Sequence, residues 1–452
     1  MVSKNSKILV VGGAGTMGSS TALHLARRGY TDIRVLDMFQ PPSGNSAGND
    51  MNKLISTQYV DGIWGRLALE TWSEWNADPL FKPFLHTVGR LDLAQHDEDR
   101  VSQLKKQLEA TKAIGREDNM EWLSNKQDIL KKAPFLCEAD IEGWKGLWIR
   151  DSGWVAARDA LTAVGAELRK LGVKSAFGTA GTFKSLILGE DGRTCLGVRA
   201  VDGTEWYADT VIMATGAWSP TLIDLEDQCI SKCWQFGHIQ LTPEEVESLR
   251  DTPTTYNMEL GFFMEPSPQG VMKFVNEFEG YTRMATCRPF GSDKDIKISV
   301  PRSHALHPTD TIPEDGVKGI KKVIKTCFPN FAHKPLFDTA ICWCTDSYDG
   351  NWLLCEDPRY NGLILATGDC GHTFKMLPIV GKYVCDLLEN KLSDEDKNRW
   401  RWRPEGKKPN DTGREGGQPQ DLADQKGWCH DDEIQSDSTI TALAGRMNGH
   451  SI

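Results

Sequence analysis

The sequence predicts an α/β fold, a parallel-sheet unit interleaved with a domain built on an antiparallel sheet. Three observations predict it. Residues 7–37 read as strand, glycine turn, helix and strand. Two later apolar strands, within 205–214 and 361–367, each run into a glycine-bearing turn. Residues 234–300 are rich in aromatics and alternating apolar positions, the pattern of an antiparallel sheet with one packed face.

The elements follow in order. Ile8–Val11 is a continuous apolar run, as in a parallel strand buried on both faces. Gly12–Gly18 is a turn, and Ser19–Arg28 a helix with Ala22, Leu25 and Ala26 on one face and a stop at Gly29. Ile33–Leu36 is the second strand and ends at Asp37. Leu67–Trp75 and Arg100–Ile114 read as charged helices, Ala156–Leu171 as an amphipathic helix, and Val173–Ala176 as a strand. Trp206–Met213 reads as one strand entering Ala214-Thr215-Gly216, and Asn361–Thr367 as another entering Gly368. These readings assign residues 1–60, 150–230 and 335–400 to the nucleotide-binding domain, and 61–149 and 231–334 to the substrate domain. Residues 401–452, polar and rich in Gly, Pro, Asp and Gln, read as a wrapping or partly disordered tail.

With 452 residues and a formal charge of −11, the chain has room for two cores and lacks the basic surface a nucleic-acid partner needs. An anionic substrate remains compatible, because two or three lysines can line a site in an acidic protein. No apolar run reaches the roughly 18 residues of a membrane span. The polar start, Met1–Lys7, feeds a strand and does not read as a signal peptide. The 12 cysteines have no framework spacing, which suits a reducing compartment. Cys229 and Cys233 form a lone pair, read as core or loop, and no metal is expected.

Gly13-Ala14-Gly15-Thr16-Met17-Gly18 fits G-x-G-x-x-G between a strand and a helix, with Asp37 ending the next strand. Gly13 is expected to allow the turn, Gly15 to let backbone approach a pyrophosphate, and Gly18 to let helix pack on strand. The helix N-terminus then faces the phosphates, and Asp37 accepts from ribose hydroxyls. A glycine-rich turn in another α/β protein is the plain alternative, and the motif alone does not separate FAD from NAD.

Val211–Trp218 and Leu365-Ala366-Thr367-Gly368-Asp369 resemble the second and the C-terminal flavin-binding signatures of glutathione-reductase-type flavoproteins. Five further stretches carry a narrower resemblance: Ser46–Lys53, Phe236–Glu245, Ser299–His304, Ile341–Asp346 and Gly368–Lys375. They resemble fungal fructosyl amino acid and fructosyl peptide oxidases (amadoriases), within the monomeric sarcosine oxidase family, over about residues 7–400. The chain departs from that family at Val275-Asn276-Glu277, where relatives have Cys-Asp-Glu, and at Gly280 and Leu54–Tyr59.

The resemblance implies a glutathione-reductase-type FAD domain and an FAD-dependent oxidase of a secondary amine. It implies an 8α-S-cysteinyl bond from Cys342 to the flavin, with Cys344 the nearest competitor and a buried strand cysteine the plain alternative. Lys53 and Lys375 would hold a substrate carboxylate; otherwise each is a solvated lysine. Lys273 would sit over the flavin and promote reaction with O2; otherwise it is a lysine on an edge strand. Glu277 would read sugar hydroxyls. Further cofactor contacts are implied at Thr16, Met17, Ser46, Asn49, Lys53, Gly216, Trp218, Asp346, Gly371, Phe374 and Lys375. The leading substrate is a fructosyl amino acid or peptide; the alternative is another secondary amine, such as an N-methyl amino acid, saccharopine, pipecolate or a biosynthetic intermediate. An FAD-binding protein without oxidase activity is the reading from a different class. A monomer is expected, cytoplasmic rather than peroxisomal, since Gly449-His450-Ser451-Ile452 lacks a peroxisomal tripeptide.

Overall fold

The computed structural model describes residues 2–403 and 418–429, except for the side chains of residues 277–279. A six-stranded sheet runs in the order Leu353–Glu356, Leu363–Thr367, Thr210–Met213, Lys7–Val11, Asp32–Leu36, Lys174–Ala176. All its pairs are parallel except Leu353–Glu356 with Leu363–Thr367. Ile8, Val10 and Ile212 bury one face against helices, and Leu9, Val11 and Val211 bury the other. That two-sided burial is why these strands are unbroken apolar runs.

Helix Thr16–Arg27 packs on the sheet beside helices Ala157–Lys170 and Val380–Leu388. It starts three residues earlier than the sequence suggests. Its N-cap is Gly15, whose φ of −91° and ψ of −177° are extended, so no capping side chain marks the start. Gly29, at φ +82°, follows the helix end as expected.

One strand expectation is corrected. Trp206–Met213 is two strands, not one: Glu205–Tyr207 pairs in a separate three-stranded sheet, and Thr210–Met213 enters the parallel sheet. The Asp209 carboxylate marks the break by accepting from the Lys7 backbone N–H at 2.8 Å.

The second unit is a large, mostly antiparallel sheet. Its path runs Phe337–Ser347, Cys229–Gln240, Val271–Thr282, Gly261–Phe263, Thr254–Asn257, Arg90–Ala94, Lys145–Ile149, Met120–Leu123. The pair Thr254–Asn257 with Arg90–Ala94 is parallel. Helix Glu314–Cys327 covers one face through Ile320, Val323 and Ile324, against Phe263 and Phe274. Val271–Thr282, which carries Lys273, is an interior strand, so the edge-strand reading of that lysine does not hold.

Within the segment read as a tail, Gln420–Asp421 pairs with Tyr281 and Thr282. Leu422 and Trp428 pack with Ala217, Cys233, Tyr281 and Trp343. Among the described residues no helix is long and apolar enough to cross a membrane, no metal-ligand cluster occurs, and the cysteines are unbridged.

Candidate active site

Two clefts meet where the parallel sheet abuts the large one. The first, with roughly 1280 Å³ of open space, is lined by Gly12, Gly15, Thr16, Asp37 and Ser43. Gly216, Trp218, Trp343 and Cys344 line it as well. The glycines divide their work differently from the sequence expectation. The left-handed turn falls on Gly12, at φ +80°, where a Cβ would lie 2.4 Å from the Ala214 carbonyl oxygen. Gly13 is needed for contact instead, since its Cβ would meet Val35 Cβ at 2.4 Å. A Cβ on Gly18 would fall 2.3 Å from the Gly12 oxygen, so that glycine does set the helix against the turn. Gly15 would meet nothing closer than 3.4 Å, which leaves its backbone open to the cleft.

Asp37 is 8% exposed and accepts from Ala14 N–H, Phe39 N–H and the Ser43 hydroxyl. Burial pushes its carboxyl up, and those donors oppose the shift. The cleft joins a helix N-terminus, an acid at the end of the second strand and open backbone at Gly15, and so fits a dinucleotide. Gly216, at φ +52° with no atom within 4 Å of a Cβ, gives the same open approach. The residues therefore fit the expected FAD.

The second cleft, with roughly 1910 Å³ of open space, lies against the large sheet. Lys53, Cys344, Gly371 and Phe374 line both clefts. Lys273, Lys375 and Cys342 line the second alone. The fold thus brings together from distant segments most of the residues assigned to catalysis and substrate.

Asp50 organises the charges. It pairs with Lys53 at 2.8 Å and with Lys273 in a shorter contact, and Lys273 and Asp50 are 4% and 5% exposed. Burial alone would raise Asp50, but the two ammoniums hold it well below the usual carboxylate range. Burial would lower Lys53, but Asp50 and Cys342 reverse that and raise it. At Lys273 burial prevails, and its ammonium is held below the ordinary lysine value despite Asp50. Lys273 also sits 4.8 Å from the Phe236 ring centroid.

Cys342 lies on the Phe337–Ser347 strand, opposite Trp234, with Lys53 Nζ 3.7 Å from its sulfur. A hydrogen bond from Cys344 and the Lys53 charge pull its thiol down to about 6, against the effect of burial. That shift favours the thiolate, the form in which cysteine is a nucleophile. Lys375 is 9% exposed, and its ammonium donates to Tyr59 Oη at 2.7 Å.

Some expected contacts are placed elsewhere. Asn49 lines neither cleft and accepts from Arg158 at 2.8 Å. Asp346 lines neither cleft either; it is fully buried, 3.8 Å from the equally secluded Lys232. Ser46, Met17 and Trp218 do line the first cleft. The side chain of Glu277 lies outside the described residues.

Sequence reasoning missed Asp50, Tyr59, His372 and Arg90, which all face the second cleft. Asp50 sits in a quoted motif three residues before Lys53 and could have been suspected as its partner. His372 likewise sits in a quoted motif three residues before Lys375, and Tyr59 ends the divergent segment Leu54–Tyr59; Arg90 carries no local signal, since the fold alone brings it to the cleft.

The comparisons with known proteins agree with this geometry. A family model described as FAD dependent oxidoreductase matches residues 7–387. The structure of fructosyl peptide oxidase from E. terrenum is similar at 46% identity and a TM-score of 0.92, covering 96% of this chain and 100% of that one. A modified fructosyl peptide oxidase from Aspergillus nidulans, in complex with FSA, is similar at 48% identity and a TM-score of 0.91, covering 94% and 99%. L-saccharopine oxidase of Schizosaccharomyces pombe is 29% identical over 422 residues, covering 89% of this chain and 94% of that protein.

Proposed function

Because this chain belongs to the FAD dependent oxidoreductases, as an amine oxidase of the amadoriase and sarcosine oxidase type, we propose that it oxidises fructosyl amino acids or fructosyl peptides with O2. Water then hydrolyses the resulting imine, so the products are glucosone, the free amino acid or peptide, and hydrogen peroxide. One observation carries the choice of substrate. Asn52 Oδ1, Ser56 Oγ, Gln58 Oε1, Gln107 Oε1 and Gln235 Oε1 are buried without a hydrogen-bond partner, and all five residues line the second cleft. Each such oxygen costs about 1–3 kcal/mol if it stays dry. The row of acceptors matches a ligand that presents many O–H donors. A sugar does so, and an N-methyl group does not.

FAD, when bound, takes the two electrons and the hydrogen released as the C–N bond becomes an imine. The chain's own residues do the rest. Lys53 and Lys375 hold the substrate carboxylate, and their charges disfavour a protonated amine beside them. Lys273, with Asp50 at its back, supplies a fixed positive charge where oxygen acquires electrons. Cys342, with its lowered pKa and Lys53 beside it, would hold the flavin through an 8α-S-cysteinyl bond.

A second reading, oxidation of saccharopine or another carboxylated secondary amine, draws support from the S. pombe relative. Arg90 in the same cleft, paired with Asp92, would add a further donor for an extra carboxylate. Oxygen consumption with fructosyl-valine, saccharopine and sarcosine decides between them. The sugar reading expects kcat/KM at least about 100-fold higher for fructosyl-valine, because stranded polar groups reject analogues that lack their partners. Turnover of saccharopine without any fructosyl compound would replace it by the second.

A further inference from the structure

Tyr59 ties together two residues of one turn. Its hydroxyl lies 2.7 Å from Lys375 Nζ and 2.9 Å from His372 Nδ1. An ammonium can only donate, so Lys375 gives the hydrogen and Tyr59 Oη accepts it. In the neutral tautomer with Nδ1 unprotonated, the phenol hydrogen is directed at Nδ1 of His372, which accepts it. Protonating Nδ1 would reverse that bond and set a second cation against the same oxygen.

The clamp is rigid on both sides. The Lys375 carbonyl accepts from Thr71 Oγ1 and Trp75 Nε1, each at 2.7 Å. The His372 ring meets Tyr59 edge-on at 5.4 Å and lies 4.5 Å from Trp64. Trp64 in turn packs on Trp352, whose Nε1 donates to Thr373 at 2.9 Å. Lys375 thus has a fixed main chain and a long flexible stem. Among the described residues, Tyr59 is the one hydrogen-bond partner of its ammonium.

We propose that His372 is a positioning residue for Lys375: acting through Tyr59, it holds the ammonium where the carboxylate of the substrate arrives and so sets the affinity of the cleft for that end. This rests on the reading above that Lys375 anchors a carboxylate. His372 touches no reacting atom in this role. Its removal lets the lysine swing among rotamers and weakens capture of the substrate without altering the chemical step.

The test compares fructosyl-valine with fructosyl-isobutylamine, the same molecule without its carboxylate, on flavin-loaded protein. In His372→Leu, KM for fructosyl-valine rises about 10-fold, the worth of one hydrogen bond supporting a charged group. Its kcat stays within about twofold, the signature of lost ground-state and transition-state binding alike. KM for the uncarboxylated amine does not move. His372→Asn, whose Oδ1 can stand where Nδ1 stood, restores the wild-type KM, and Tyr59→Phe reproduces the defect. Equal KM changes for the two amines, a loss confined to kcat, or no rescue by asparagine overturns the proposal. If His372→Leu fails to fold, His372→Asn against His372→Gln decides, since glutamine places its oxygen elsewhere; equal KM values in that pair overturn it. Lys375→Ala separates the two layers. If it leaves the preference for the carboxylated amine unchanged, the anchor reading itself fails. If it abolishes that preference while the His372 and Tyr59 variants retain it, only the positioning role fails.

Discussion

Asp50 places one negative charge between two lysines, and the site depends on that sharing. Lys273 and Asp50 are both buried, so removing Asp50 strands the Lys273 charge, which costs about 3–5 kcal/mol in such pairs. Lys273→Met keeps the volume and leaves Asp50 to Lys53. Its expected outcome is reoxidation by oxygen slowed about 100–1,000-fold, with anaerobic reduction by substrate much less affected. Stopped-flow measurement of the two half-reactions checks this, and an equal loss in both would indicate a structural role. Cys342 yields a second prediction at this scale. In apoprotein its alkylation by iodoacetamide should follow an apparent pKa near 6, because thiolate is the reactive form. Lys53→Met should move that midpoint upward, and Cys342→Ala should release the flavin on acid precipitation. A midpoint unmoved by the loss of Lys53 would assign the shift to Cys344 alone. Lys53, Lys375 and Cys342 were legible as candidates because each sits in a quoted motif, and Lys273 because its place on an alternating strand matches a family position. The sequence could not show Asp50 between two of them, since Lys53 and Lys273 are far apart in the chain.

At the scale of elements, the turn at Gly12–Gly18 is a test of close approach. Gly18→Ala would drive a Cβ to 2.3 Å from a backbone oxygen that no side-chain rotation can move away. The expected cost is about 1–3 kcal/mol, with a lower melting temperature and less bound flavin. Gly62, the first residue of helix Gly62–Ala77, has nothing within 4 Å of a Cβ, so Gly62→Ala is the neutral control. Melting curves and flavin content of the two variants check the contrast. The strand–turn–helix–strand of residues 7–37 was legible because apolar run, glycines and terminal acid all speak locally. The break at Ala208-Asp209 was not. Glu205–Tyr207 and Thr210–Met213 look like one strand until the partner strands are known, and Lys7 is the residue that claims Asp209. Similarly, the work of Gly12 and Gly13 depends on Ala214 and Val35, which sequence spacing does not place.

At the scale of the whole molecule, the C-terminal segment closes the structure. Trp428 is 2% exposed, its indole N–H donates to Leu422 O at 2.8 Å, and its carbonyl accepts from Thr311 N–H at 2.7 Å. Trp428→Ala should cost about 3–5 kcal/mol. Because its cluster includes Ala217 and Trp343, both on the wall of the first cleft, flavin retention should fall with stability. Thermal unfolding followed by intrinsic and flavin fluorescence tests both; unchanged melting would show the segment to be dispensable. The interleaving of two domains was foreseeable from where the strands and glycines fall. The docking of residues 418–429 was not, because a short polar stretch with one buried tryptophan has no periodicity to betray it. The Phe337–Ser347 strand has a consequence of another kind. It pairs along the large sheet, carries Cys342 into the second cleft, and brings Trp343 and Cys344 to the first. A flavin held at Cys342 as proposed, with its adenosine end near Asp37, would be a ligand that dilution cannot remove. Its occupancy would cease to depend on the free flavin concentration, as for any tethered ligand. The stabilisation it gave would then be a constant of the molecule and not a function of supply.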